Sequence, residues 1–275
     1  MLYKIVIIVI SLIAIYVPTF LSLGRKYLAA DSYYSHGFLV PLVSAYLIWR
    51  KRGRIWALLP VAQSSGFGLI LLASGLLLHL ASTALTLNFG SYLSLPIVLA
   101  GLGLYFWGKA IFPLLLFPLF FLIFMIPLPN VVIIAVSFKM KILAAQMASG
   151  IVSLMGIPIT RDGSTIYLPA GSLVVGDPCS GLKSLISLLA LGVVFTQFTD
   201  ASRLKKNILC LSAIPIAMIS NVLRIILLIL AAYVYGEKAA LGFFHDFTGM
   251  LVFVFAFVGL VGAVRLLKCQ IIKPD

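Results

Sequence analysis

Three polar residues stand out because they interrupt or border long apolar runs, and because their side chains suit covalent catalysis. Cys179 lies in Asp177-Pro178-Cys179-Ser180, Arg224 lies inside an apolar run, and His245 borders another. A cysteine thiolate is a strong nucleophile, a guanidinium stabilises negative charge, and an imidazole transfers protons near neutral pH. Together in one pocket, these groups would suit covalent catalysis by a cysteine.

The residues around Cys179 are typical of a helix start. Asp177 fits the N-cap position and Pro178 the first helical position, so Cys179 is predicted in the first turn. Free backbone N–H groups and the helix dipole favour a thiolate at that place. Lys183 follows four residues later, which predicts the same helix face and an added positive charge. The structural alternative is a small buried hydrophobic residue, the usual environment of a free cysteine.

Arg224 and Asn221 are three residues apart within one apolar run, so they are predicted on one face of a helix. An arginine inside a membrane is costly and indicates a functional site by default. The alternative is a structural arginine that pairs with a carboxylate or with backbone carbonyls. Only seven acidic residues exist, and none lies in a predicted span, so carboxylate partners are few. Asn221 is predicted to support the site.

Three histidines differ in their predicted roles. His245 opens the last predicted span at the outer side, where its ordinary pKa near 6.5 makes it the natural acid and base. A lone histidine at an interface is nevertheless more often structural than catalytic. His36 opens the second predicted span on the same side and is given a supporting role at most. His79 lies in the middle of a span and is predicted to be structural.

The elements that must position these residues are predicted to be membrane-spanning helices. Apolar residues make up 63% of the 275 residues and charged residues 10%, far from the soluble average. A span needs about 20 apolar residues, which predicts about eight spans in a single domain over residues 1–275. The predicted spans are 3–23, 37–49, 66–87, 91–107, 111–127, 180–198, 207–233 and 248–264.

The formal net charge of +13 does not indicate nucleic-acid binding, because the basic residues lie in short loops between apolar runs. Their bias toward one side predicts that both termini are cytoplasmic and that the three site residues face outward. Twelve of the 20 Lys and Arg residues fall on the predicted inner side: Lys4, Arg50, Lys51, Arg52, Arg54, Lys109, Arg203, Lys205, Lys206, Arg265, Lys268 and Lys273.

The stretch from Asn130 to Gly156 is apolar but contains Lys139 and Lys141, which would be costly at the centre of a bilayer. It is therefore predicted to be an interfacial or re-entrant helix on the outer side. If it spanned the membrane, every later segment would change sides. Residues 157–175 contain the turn signal Asp162-Gly163 between β-branched residues, which predicts a small extracytoplasmic β-hairpin.

Cofactor binding is not predicted. Cys210 lies deep in an apolar run and Cys269 follows the last one, and no CxxC spacing indicates a metal or a disulfide framework. The sequence also contains no phosphate-binding loop. We therefore expect neither a metal ion nor an organic cofactor.

Five short motifs follow one another along the chain: Asp31-Ser-Tyr-Tyr-Ser-His-Gly37 with Pro41 and Trp49, Pro158-Ile-Thr-Arg-Asp-Gly163, Cys179-Ser-Gly-Leu-Lys-Ser184, Asn221-Val-Leu-Arg-Ile225, and His245 with Gly249. Together and in this order, they resemble the exosortase/archaeosortase family of multi-pass membrane enzymes. The resemblance extends over most of the chain, and His245 is similar to the bacterial branch, since archaeal relatives tend to have Arg there. Many members have Arg at the position of Lys183, so no catalytic role is assigned to this lysine.

The resemblance implies a catalytic set of Cys179, Arg224 and His245, with Asn221, His36 and Lys183 in supporting or substrate-binding positions. It also implies a protease or transpeptidase of the bacterial inner membrane, working among membrane lipids. Its substrates would be secreted proteins that end in a PEP-CTERM-type motif, a hydrophobic helix and a basic tail.

Two other classes of function fit an apolar multi-pass chain. A transporter or flippase could bind an anionic substrate at Asn221 and Arg224, although the related halves typical of carriers are not seen in the sequence. A scaffold of an exopolysaccharide export system would need none of the three polar residues.

Overall fold

The computed structural model describes residues 2–29, 32–169 and 171–271. Asp31 and Lys273, which the sequence predictions used, lie outside these ranges. The chain divides into two compact units, Met1–Pro129 and Asn130–Asp275, and the structure is mostly helical. The α-helices are α1 Leu2–Leu28, α2 Leu39–Arg50, α3 Arg52–Leu58, α4 Gly66–Ala84, α5 Asn88–Phe121, α6 Asn130–Leu154, α7 Leu182–Phe198, α8 Arg203–Tyr235, α9 Glu237–Leu241 and α10 Phe243–Leu266.

Within the described ranges, short 3₁₀ helices border the α-helices at Ser35–Phe38, Leu59–Val61, Leu122–Met125 and Asp177–Cys179. The same part of the chain forms the short strands β1 Thr160–Asp162, β2 Thr165–Leu168, β3 Gly171–Val174, β4 Thr199–Asp200 and β5 Gln270–Ile271.

Seven helical segments of the described residues are long and apolar enough to cross a membrane: Val6–Leu28, Gly66–Ala84, Asn88–Met125, Asn130–Leu154, Asp177–Phe198, Arg203–Tyr235 and Phe243–Leu266. A multi-pass helical membrane protein is thus confirmed, whereas a count of eight is not. The second predicted span forms the 12-residue helix α2, which is short for a bilayer even with the 3₁₀ helix before it. The segment Asn130–Leu154, assigned to the interface from the sequence, is long enough to span.

Helix α5 contains the fourth predicted span and most of the fifth, and Gly108 divides them. Gly108 has φ 59° and ψ −164°, which breaks the helix. A Cβ on Gly103 would lie 3.2 Å from Leu115 Cδ1, although twelve residues of continuous helix would separate the two by about 18 Å. The chain therefore folds back at Gly108, and α5 is a helical hairpin whose two arms match the predicted boundary between residues 107 and 111.

Buried hydroxyl groups join α1 to α5 in the first unit. Tyr16 Oη and Ser94 Oγ lie 2.7 Å apart, as do Thr19 Oγ1 and Ser91 Oγ. His79 of α4 extends the cluster, because its Nδ1 lies 3.1 Å from Ser91 Oγ. Buried polar groups need such partners, above all among apolar helices. The structure thus supports the predicted structural role of His79.

Helix α8 is the centre of the second unit and packs against α6, α7 and α10. Its middle and C-terminal residues form a core with α6 and with the strands before Cys179, including the fully buried Ile166, Ile225 and Ile229. Nearer its N-terminus, Leu209 and Ala213 pack with Leu260 of α10. Burial of apolar side chains on three sides fixes α8 as the support for the site residues.

The predicted hairpin is present, with one additional strand. Strand β1 pairs antiparallel with β2 around a turn at Gly163, which has φ 57°, as the Asp162-Gly163 signal predicts. Strand β3 pairs antiparallel with β2 on the other side. The sequence did not reveal β3, because this strand lies beyond the two segments joined by the Asp162-Gly163 turn signal, on which the hairpin prediction rests.

Candidate active site

The chain reaches Cys179 through a 3₁₀ helix rather than through the first turn of α7. This 3₁₀ helix covers Asp177–Cys179 and follows Gly176, so the prediction of Asp177 as the N-cap of a long α-helix is wrong. Gly181 has φ 82° and caps α7, which begins at Leu182. Cys179 therefore precedes the α-helix, and only 5% of its surface is exposed. The placement of Pro178 near the start of a helical turn is correct, because proline favours that position.

The prediction that Lys183 shares a helix face with Cys179 is also wrong. The relation between residues four apart holds only in continuous α-helix, and Gly181 in the left-handed region interrupts the helix between them. Lys183 lies in the first turn of α7 and is partly buried. No contact of the described residues joins it to the three predicted catalytic residues.

Two side chains of α8 hold the backbone that carries Cys179. Asn221 Nδ2 donates to the carbonyl oxygen of Cys179 at 2.9 Å, and Arg224 Nη1 donates to the carbonyl oxygen of Pro178 at 3.2 Å. The two residues are one helical turn apart and bind successive carbonyls, as their predicted common face requires. Carbonyl binding is also the structural role that the sequence left open for Arg224. This arginine therefore positions the 3₁₀ helix Asp177–Cys179, which we call the cysteine turn.

The side chain of His245 lies between those of Cys179 and Arg224. Its Nδ1 is 3.7 Å from Cys179 Sγ, and its Nε2 is 3.4 Å from Arg224 Nη2. Arg224 Nη2 also donates to the backbone carbonyl of His245 at 3.1 Å. A thiol, an imidazole and a guanidinium from three separate segments are thus connected in that order.

The arginine determines which nitrogen of His245 carries the proton in this arrangement. A guanidinium only donates hydrogen bonds, so a neutral His245 must accept at Nε2 and carry its proton on Nδ1. The Nδ1–H group then points toward Cys179 Sγ. This geometry provides a hydrogen-bond donor for a thiolate, while the guanidinium supplies the compensating positive charge.

Glycines provide the space in which these groups meet. A Cβ on Gly181 would lie 2.7 Å from Asn221 Cγ, so this position requires glycine for contact as well as for its positive φ. A Cβ on Gly249 would lie 3.1 Å from Arg224 Nη2. The glycine of Cys179-Ser-Gly-Leu-Lys-Ser184 and the glycine after His245 therefore have direct geometric roles.

Substitution of Gly181 by alanine should destabilise the protein and impair the site together. The left-handed backbone costs a non-glycine residue about 1–3 kcal/mol, and the added methyl group would push Asn221 from the Cys179 carbonyl. Thermal unfolding in detergent would measure the loss. Gly150 is the matched control, because a Cβ there meets nothing within 4 Å, and alanine in the middle of a helix is favourable by up to about 1 kcal/mol. Equal unfolding temperatures for the Gly181→Ala protein and the wild type would contradict this account.

A cavity of about 130 Å³ lies against the thiol and the imidazole. Its wall consists mainly of apolar side chains from β3, the segment after it, α8 and α9: Leu173, Val174, Val175, Ile225, Leu228 and Leu241. Sequence reasoning did not identify this lining, since β3 was not predicted and Leu241 carries no motif. The cavity gives Cys179 Sγ and His245 access to a ligand with an apolar group.

The remaining predicted site residue, His36, belongs to the first unit. It lies in the 3₁₀ helix Ser35–Phe38, with its ring 6.1 Å from that of Tyr34 between centroids. Its supporting role stays a prediction. Among the described residues, no group of three or more His, Cys, Asp or Glu side chains is arranged to hold a metal ion.

Apolar helices that bring a thiol, an imidazole and a guanidinium together define a multi-pass membrane protein with a cysteine-centred site. The family model described as transmembrane exosortase matches residues 28–262, and the chain therefore belongs to this family. Exosortases are a family of membrane proteases and transpeptidases. No curated protein and no solved structure matches the chain.

Proposed function

We propose that this protein is a cysteine-type exosortase that cleaves C-terminal sorting signals of secreted proteins. The observation that carries the proposal is the chain of contacts from Cys179 Sγ through the His245 ring to Arg224. In the proposed substrate, a short motif is followed by a hydrophobic helix and a basic tail. When this helix spans the bilayer beside the enzyme, the motif lies at the membrane surface near the thiol.

In the proposed mechanism, the Cys179 thiolate attacks the scissile carbonyl carbon and Arg224 stabilises the resulting oxyanion. Within the described residues, Arg224 Nε is buried and has no hydrogen-bond partner, so the guanidinium retains an unused donor. A fixed donor in a site of low dielectric is worth about 3–4 kcal/mol to such a transition state. The carbon–sulfur bond forms as the carbonyl electron pair moves to oxygen.

The resting neutral pair of Cys179 and His245 carries two protons, one on sulfur and one on the ring. When the contact between Arg224 Nη2 and His245 Nε2 opens, the ring can carry its own proton on Nε2. Nδ1, which faces the sulfur at 3.7 Å, then accepts the thiol proton, and the pair becomes a thiolate and an imidazolium. His245 then protonates the leaving amine from Nδ1, and the carbon–nitrogen bond breaks to give an acyl-enzyme. The neutral ring next takes a proton from the incoming acceptor. Water as acceptor gives proteolysis, and an amine, sugar or lipid gives transpeptidation.

We also propose that the protein lies in the bacterial inner membrane with both termini cytoplasmic and the site outward. The bias of basic residues supports this orientation. Eight spans follow if the hairpin arms of α5 and the short α2 each cross the membrane while α6 stays at the interface. The exposed Lys139 on α6 supports an interfacial position, because an exposed ammonium is costly in lipid. Lys141 Nζ pairs at 2.8 Å with Asp177, whose side chain is 63% exposed, and an exposed carboxylate is costly in lipid as well.

The direct test is to co-express the chain with a tagged secreted protein that ends in the motif, the helix and the basic tail. The expected product lacks the tail, and mass spectrometry of its new C-terminus identifies the cleaved bond and any attached acceptor. A tagged protein that keeps its tail, although the enzyme is present in the membrane, would contradict the proposal.

The cavity beside Cys179 should select an apolar residue close to the scissile bond. Substitution of Val174 by aspartate places a carboxylate in its wall, at a residue that is 56% exposed, so folding should be preserved. Burial of an unpaired polar group costs about 1–3 kcal/mol, and we expect processing to slow by about 10–100-fold. The control is Tyr167→Asp on the neighbouring strand, since Tyr167 is 48% exposed and does not line the cavity. Equal slowing by both substitutions would exclude this role of the cavity.

A further inference from the structure

A second, larger cavity lies within the first unit and has no part in the proposed chemistry. It measures about 400 Å³, within the range of small-molecule sites. Its wall comes from α2, α3 and both arms of the α5 hairpin. Ser44 Oγ already donates to the carbonyl oxygen of Pro118 at 3.0 Å, so this hydroxyl needs no further partner. The remaining lining is apolar and includes Ala45, Ile48, Ile55 and Leu115.

Four cations lie around the junction of α2 and α3, close in sequence to residues that line this cavity. Arg50, Lys51, Arg52 and Arg54 lie between the lining residues Ile48 and Ile55 in the sequence. Lys51 Nζ donates to the carbonyl oxygen of Leu114, next to the lining residue Leu115, at 3.1 Å. The Arg52 guanidinium lies 4.1 Å from the centroid of the Trp49 ring. Positive charge is therefore concentrated beside an apolar space.

Little negative charge is available nearby to compensate these cations. Asp31 is the only acidic residue among the first 129 residues of the sequence. Burial, together with repulsion from Arg54 and Arg50, lowers the pKa of Lys51. An anion bound beside Lys51 would offset this repulsion, because opposite charge favours the protonated ammonium.

We propose that the first unit binds one anionic phospholipid, with an acyl chain in the apolar cavity and the phosphate beside Lys51 and Arg54. Basic residues next to apolar helices recognise anionic head groups in this way. The hydrophobic tail of a sorting substrate fits less well, since its basic end would be repelled by the same cations. If these basic residues served only to keep their loop on the cytoplasmic side of the membrane, the charges alone would suffice and no adjoining cavity would be needed.

The test uses the purified full-length chain in detergent and native mass spectrometry. Phosphatidylglycerol and phosphatidylcholine with identical acyl chains compare the head groups, and glycerol 3-phosphate represents a head group without chains. The expected result is one retained phosphatidylglycerol, weaker retention of phosphatidylcholine and no retention of glycerol 3-phosphate. Equal retention of the two lipids would overturn the proposal, as would binding of glycerol 3-phosphate with similar affinity.

Two sets of variants separate the charges from the cavity. The double substitution Lys51→Gln and Arg54→Gln should weaken phosphatidylglycerol binding by about 30-fold, whereas Arg203→Gln with Lys205→Gln removes equal charge from the second unit and should not. Ala45→Phe fills the cavity without changing charge and should also weaken binding, and Ala45→Leu is the milder variant if the phenylalanine prevents folding. Unchanged binding in the folded Ala45 variant would show attraction to surface charge alone and would overturn the proposal. Lipid binding is measured without a sorting substrate. A failure to bind the lipid is therefore distinguishable from a failure of the proposed enzymatic function.

Discussion

Replacement of Cys179 by alanine should abolish removal of the C-terminal tail from a co-expressed substrate. Covalent catalysis has no substitute for its nucleophile, and loss of this group typically lowers the rate by several orders of magnitude. We expect at least about a 10³-fold loss, which immunoblotting would show as complete accumulation of the full-length substrate. Folding should be preserved, because alanine removes only the sulfur and leaves the Cys179 carbonyl bound by Asn221.

The other two cysteines provide matched controls for this experiment. Cys210 lies in α8 and Cys269 near β5, and both are free thiols. Neither lines the cavity beside His245, so Cys210→Ala and Cys269→Ala should leave processing unchanged. Undiminished processing by the Cys179→Ala protein would end the assignment of the nucleophile.

Alkylation of Cys179, as the single remaining thiol, distinguishes an enzyme from the other proposed classes of function. In a protein that carries both control substitutions, a thiol reagent should stop tail removal in spheroplasts. A transporter or flippase would retain transport after alkylation, and an assembly scaffold would tolerate the Cys179→Ala substitution in full. The position of the thiol against a cavity makes it accessible to a small reagent.

The sequence predicted the helices well where apolar runs are long and uninterrupted. The boundary at Gly108 was visible because Gly-Lys interrupts the apolar run, yet the sequence could not show that the two arms of α5 pack against each other. The span at residues 37–49 was predicted from apolar composition alone. The structure forms it as a 3₁₀ turn over Ser35–Phe38 followed by the 12-residue helix α2. The sequence could not show this turn, because the last turn at a helix end is often 3₁₀ and its exact place is not fixed by composition.

The candidate site was predicted in its residue types and not in its geometry. An intramembrane arginine is conspicuous in any apolar run, and its cost alone marks it. The conformation of Gly181 was not predictable, because Asp-Pro-Cys is equally compatible with an uninterrupted helix start. Only the packing of Asn221 against Gly181 shows why the helix is interrupted at this glycine. The same interruption moves Lys183 away from the helix face predicted for it.

The cavity beside Cys179 lay beyond sequence reasoning for a different reason. Its walls come from a strand, a short helix and α8, and the residues that line it are ordinary leucines, isoleucines and valines. Apolar side chains carry no signal of function in a chain that is 63% apolar. The three-dimensional path of the chain is what brings them to the thiol.

Substitution of Arg224 by lysine should lower processing by about 10²–10³-fold, although the positive charge is retained. The guanidinium donates to the carbonyls of Pro178 and His245 and contacts His245 Nε2 at the same time. An ammonium is a compact point charge and lacks the planar fork needed to reach all three. A lysine could therefore keep one contact and would lose the others, including the donor that we assign to the oxyanion.

The comparison of Arg224→Lys with Arg224→Gln and Asn221→Ala separates charge, donor geometry and support of the cysteine turn. The Arg224→Gln substitution removes the charge and should be as inactive as Arg224→Ala. The Asn221→Ala substitution removes only the hydrogen bond to the Cys179 carbonyl and should lower the processing rate less. The acyl-enzyme provides a further readout, because a protein trapped after attack by Cys179 gains the mass of the substrate fragment. Loss of the trapped species in Arg224→Lys would place the arginine before acyl-enzyme formation. Full activity of Arg224→Lys would show that charge alone suffices and would remove the basis for an oxyanion donor at this residue.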